Sequence, residues 1–168
     1  MSSTTHHDAV LEPETAHGPL TQANSRTGQW REAWTESNEI PIGEPFTKAG
    51  VVYAQAFTWS PVSRLVRIGA PSNATAKIWL NGKLIVDNFI YRPVRPNYNG
   101  PYDEKPVPYN DNKDELQAGW NEILIKFTRG DAPLEPPDAA FEAHLILCDP
   151  TDNNAGLTDQ LRTRFPWE

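Results

Sequence analysis

Between Asp87 and Asn112 the chain gathers Tyr91, Arg92, Arg95, Tyr98, Tyr102, Asp103 and Tyr109, and with them four of its five tyrosines. A tyrosine offers a flat apolar ring with a polar tip, which suits stacking on a sugar ring or burial in a protein interface. Arginine, asparagine and aspartate add the directional hydrogen bonds that discriminate hydroxyl patterns. Prolines at 93, 96, 101, 106 and 108 stiffen the segment and reduce the entropy lost on binding. A long segment without strand or helix patterning is uncommon in a compact domain and is usually functional or disordered, and the aromatic content argues against plain disorder. Tyr91, Arg92, Arg95, Tyr98, Tyr102 and Asp103 are therefore expected to supply a ligand-binding surface. The competing expectation is that these tyrosines cover the apolar face of Trp79, Leu84 and Val86.

Catalytic patterns are thin by comparison. There is no Gly-x-Ser-x-Gly elbow, no His-Glu-x-x-His and no phosphate-cradling glycine loop. Carboxylates fall in turn-rich segments with no spacing that implies an acid–base pair. His144 and Cys148 share one face of a strand but stand about 13 Å apart, too far to act as a nucleophile pair. His6 and His7 sit in a polar leader and read as solvated. Asp149, Asp152, Asn153, Asn154 and Asp159 form an oxygen-rich stretch that departs from the EF-hand spacing and reads as a turn. Arg129-Gly130-Asp131 lies where a strand ends and also reads as a turn, and Asn73-Ala74-Thr75 is a glycosylation sequon by pattern alone. No catalytic residue and no required cofactor follow from the sequence.

The elements that must position the tyrosine-rich segment are strands. Val51, Tyr53, Gln55, Phe57 and Trp59 alternate with Val52, Ala54, Ala56 and Thr58, up to Pro61. A shorter run covers Arg64 to Gly69. In Ile78-Trp79-Leu80-Asn81-Gly82-Lys83-Leu84-Ile85-Val86 the Asn-Gly pair predicts a type I′ hairpin, because both central residues need positive φ. That turn pairs Leu80 with Lys83, Trp79 with Leu84 and Ile78 with Ile85, leaving both hairpin faces apolar. Leu116 to Asn121 forms a tight turn into a strand over Glu122–Thr128. A last strand runs from Phe141 to Cys148. Residues 1–28, with few aliphatic groups and no aromatic one, are expected to be a disordered tail that can be removed with little loss of stability. Residues 29–150 then form a β-sandwich domain, and 151–168 a C-terminal strap or linker. The fold class is all-β, an antiparallel sandwich.

The hairpin strand Ala76-Lys77-Ile78-Trp79-Leu80 with its Asn81-Gly82-Lys83 turn, followed by Leu116-Gln117-Ala118-Gly119-Trp120-Asn121-Glu122-Ile123-Leu124-Ile125-Lys126, resembles the galactose-binding-like jelly-roll domains that accompany glycoside hydrolases. The resemblance covers about residues 50 to 148. It implies a jelly roll, a non-catalytic carbohydrate-binding role and, in many members, a structural calcium. The matching residues are architectural. Gly119 supplies backbone freedom, Trp120 is expected to plug one end of the sandwich, and Asn121 to bond its own turn.

Composition narrows the partners. The 168 residues include 15 basic and 22 acidic side chains, a net charge of −7 that disfavours nucleic acid and anionic lipid. No apolar run reaches the ~20 residues of a membrane-spanning helix, so membrane insertion is not expected. One cysteine excludes an internal disulfide. No basic n-region followed by an apolar stretch opens the chain, so no signal peptide is visible and the compartment stays open. A glycan is the expected partner, with a protein partner in an assembly role as the alternative.

Overall fold

In a computed structural model of the chain, the described residues are 7–15, 40, 50–89, 109–110, 113–129, 143–151 and 157. Eight described strands build antiparallel sheets: β1 (Gly50–Ser60), β2 (Arg64–Leu65), β3 (Arg67–Gly69), β4 (Thr75–Leu80), β5 (Lys83–Asn88), β6 (Glu115–Leu116), β7 (Gly119–Arg129) and β8 (Ile146–Cys148). A turn of helix, α1 (Glu12–Thr15), precedes them.

The main sheet has the order β1-β7-β4-β5. Its period-two pattern sorts side chains onto two faces, and directly paired residues share a face. Ala54 pairs with Ile125, and Ile125 with Ile78, so this row faces inward. Ile78, Ile123, Ile125 and Phe127 are fully or almost fully buried there. Each large apolar group removed from water in this way contributes on the order of 1.5–3 kcal/mol. The opposing layer is made of β2 with β6 and β3 with β8, extended by bridges from Gly69 to Tyr109 and from Ser72 to Ala143. Val66, Ile68, Ala70, Leu116 and Leu157 close the core from that side, with Leu145 and Leu147 packed against it. The fold is an all-β sandwich of antiparallel sheets.

Asn81 and Gly82 have φ of 49° and 79°, the two positive angles that a type I′ turn requires. Leu80–Lys83 and Trp79–Leu84 pair as the turn predicts. Beyond them the register corrects the expectation: a bulge between Ile78 and Trp79 pairs Ile78 with Val86 rather than Ile85. The extra residue turns both Ile85 and Val86 towards the core and leaves Leu84 exposed.

The N-terminal expectation is corrected for residues 7–15. Read as tail for want of apolar groups, this segment is docked on the outer face of the main sheet by polar groups instead. His7, expected to be solvated, is buried between Thr75 and Asp87. The segment then reaches Lys126 on β7 and Tyr53 on β1, so it crosses all four strands as a strap.

Candidate functional site

Tyr91, Arg92, Arg95, Tyr98, Tyr102 and Asp103 lie outside the described residues, as do Asp152, Asn153, Asn154 and Asp159. The structure does describe both ends of the tyrosine-rich segment. It leaves β5 at Phe89, whose ring meets His7 edge-on at 5.1 Å between centroids. It rejoins the opposing layer at Tyr109, which bridges to Gly69 and carries the Arg67 guanidinium 4.3 Å above its ring. Asn110 fixes that return: its side chain accepts from Ile68 N at 2.9 Å and donates to Val66 O and Asp114 Oδ2.

The described surface with the chemistry of a binding site is the outer face of the main sheet. The β1–β7 register places Trp59 opposite Trp120, Phe57 opposite Glu122, and Gln55 opposite Leu124. Trp79 joins the Leu124 row from β4. Gln55 Nε2 donates to Glu122 Oε1 at 2.7 Å, which binds an amide and a carboxylate together beside the tryptophan pair. Trp120 is 37% exposed, so it does not plug the sandwich as expected; Leu124 and Trp79 are buried. The alternation of residues 53–59 carried the signal for this face in the sequence. What stayed hidden was the pairing of β1 with β7, a contact between runs more than fifty residues apart.

The turn that presents Trp120 is built from two asparagines. Asn121 Oδ1 accepts from Gln117 N at 2.8 Å, while its Nδ2 donates to Gln117 O and Gly119 O. Asn81 Nδ2 donates to the same Asn121 oxygen at 2.9 Å, and Asn81 Oδ1 accepts from Glu122 N. The Asn-Gly hairpin and the Gly-Trp-Asn turn are thus bonded to each other. Gly119, at φ 102°, supplies the backbone angle between them. A cleft of about 300 Å³ opens nearby, with Leu80 and Ile85 among its lining and Asn81, Lys83 and Asp114 at its rim. Those polar groups are already engaged, Lys83 Nζ with Asp114 Oδ1 at 2.7 Å and Asn81 as above.

Two other arrangements have the look of chemistry and a structural outcome. Thr75, His7 and Asp87 form a hydroxyl–imidazole–carboxylate chain, with His7 Nδ1 3.0 Å from Thr75 Oγ1 and Nε2 2.7 Å from Asp87 Oδ1. Thr75 is fully buried and its hydroxyl donates to the Thr128 carbonyl, so no substrate can approach it and the chain serves as a clasp. Asp149 accepts from Thr151 N and Oγ1 at 2.8 and 2.6 Å and from Arg64 Nη2 at 2.7 Å. The Thr151 bonds first, then Arg64, hold its carboxyl down at about 2. Of the oxygen-rich stretch only Asp149 is described, at this turn, and among the described residues no three histidine, cysteine, aspartate or glutamate side chains gather as metal ligands. Cys148 is buried at the end of β8, where burial pushes its thiol up despite Arg67. Among the described residues no helix is long and apolar enough to cross a membrane.

Comparison with protein-family models, with curated proteins and with solved structures finds no match in any of the three.

Proposed function

We propose that the chain is a non-catalytic carbohydrate-binding module, similar to the galactose-binding-like jelly-roll domains that accompany glycan-processing enzymes. The observation that supports it is Trp120, over a third exposed on a sheet face, opposite Trp59 and beside the Gln55–Glu122 pair. An indole face stacks on the C–H face of a pyranose, and a neighbouring amide and carboxylate select hydroxyl directions. The tyrosine-rich segment, with Tyr91, Arg92, Arg95, Tyr98, Tyr102 and Asp103, is the second proposed source of ligand contacts. A glycan array probed with the intact protein, with and without calcium, tests this reading. Binding to a defined set of sugars supports it. No binding on the array, together with a stable oligomer in sedimentation, replaces it with the assembly role.

A further inference from the structure

The outer face carries an arrangement that sugar binding does not require. Lys77 on β4 and Lys126 on β7 stand directly opposite each other, a like-charge pair that costs stability in an isolated sheet. Residues 7–15 bring the opposite charge. Glu14 Oε1 lies 2.9 Å from Lys126 Nζ, and Asp8 Oδ1 lies 3.5 Å from Lys77 Nζ. Asp87 of β5 also faces Lys77 at 3.5 Å.

Lys126 is fully buried under this segment, yet it stays hydrogen-bonded. Its ammonium donates to the His7 and Ala9 carbonyls and to Glu14, which uses all three of its N–H directions. Glu14 Oε1 also accepts from Tyr53 OH at 2.6 Å and from Leu11 N at 3.2 Å, so one oxygen joins the helical turn of the strap to the sheet. Burial first, then the Glu14 hydrogen bond and charge, push the Tyr53 phenol far above its ordinary value, so it remains a donor throughout the working pH range. Apolar attachment is partial: Val10 is 69% exposed, while Ala9 and Leu11 are half-buried and Pro13 is buried. A segment held by charge and hydrogen bonds can leave as a unit, because undocking returns both Lys126 and Glu14 to water instead of stranding either.

We propose that the Lys77–Lys126 face is a recognition surface for an extended peptide bearing two carboxylates. In the resting chain its own residues 7–15 occupy it as a detachable latch. This inference does not depend on the glycan reading.

The test uses the full chain and two variants, E14Q and K126M. Hydrogen exchange is followed at residues 7–15 and, separately, at β7. In E14Q, which keeps the size of the side chain and leaves the core untouched, the strap amides are expected to exchange at least about tenfold faster while β7 keeps its protection. K126M is expected to do the same. A synthetic peptide of residues 7–15 is then titrated into E14Q and wild type. It is expected to bind E14Q, to bind wild type at least about tenfold more weakly because the face is filled, and to lose binding when its Asp8 and Glu14 are made amides. The inference is overturned if E14Q leaves strap exchange unchanged, or if β7 loses protection together with the strap. It is equally overturned if the opened E14Q face does not bind the peptide.

Discussion

At the scale of single residues, Asn121 concentrates more structural consequence than any ligand-like feature of its size. It is fully buried, and its amide serves three backbone groups and the side chain of Asn81. Replacing it by alanine removes the partner of each at once, so N121A is expected to lower stability by about 2–4 kcal/mol in denaturant unfolding. Asp149 gives a pH signature. Its carboxyl is lowered from 3.8 to about 2 in the folded chain, so its contribution is fully present above the unfolded value and is lost as the pH falls through that window. Thermal melts between pH 5 and 2 should therefore show a loss in wild type that is partly absent from D149N, which starts lower and falls less. The roles of Asn81, Gly82 and Asn121 were legible from the sequence because turn chemistry is local. The role of Lys126 was not. An alternating lysine looks solvated until the segment that covers it is placed, and that segment lies more than a hundred residues away.

At the scale of elements, the hairpin shows both the reach and the limit of local reasoning. Asn-Gly dictated the turn type and the first two pairs, but the bulge at Ile78/Trp79 depends on which residues the core admits. By sending Ile85 and Val86 inward together, it makes a sandwich-facing strand out of a run that alternation alone would have divided between two faces. Residues 7–15 were misread for a related reason. Composition weighs apolar burial, whereas this strap is anchored by an imidazole, a carboxylate and two carbonyls. At the Gly-Trp-Asn turn, a Cβ on Gly119 would meet nothing within 4 Å, so the cost of G119A is backbone strain at φ 102° alone. It is expected to lower stability by about 1–2 kcal/mol without a clash, and to tilt Trp120 away from Trp59. Chemical denaturation reads the first effect, and the quenching of tryptophan fluorescence by a neutral quencher the second.

At the scale of the whole molecule, the sandwich core lies on one side of the main sheet, and the proposed binding site and the strap lie on the other. The strap takes the end with Lys77 and Lys126, and the tryptophan pair takes the end with Trp120. The sandwich itself was legible in the alternating runs, since a period of two needs no partner to be seen. The composition of its outer face was not, because a face is assembled from strands that the sequence does not show side by side. In the proposed carbohydrate-binding role, Trp120 stacks on a sugar ring. Isothermal titration of wild type and W120A with the best oligosaccharide from the array, paired with a thermal melt of each, tests it most directly. W120A is expected to weaken binding about tenfold or more and to shift the melting temperature by no more than about 4 °C, as for an exposed aromatic. Equal affinity in the two proteins, or a loss of binding that merely follows a collapse in melting temperature, would contradict it.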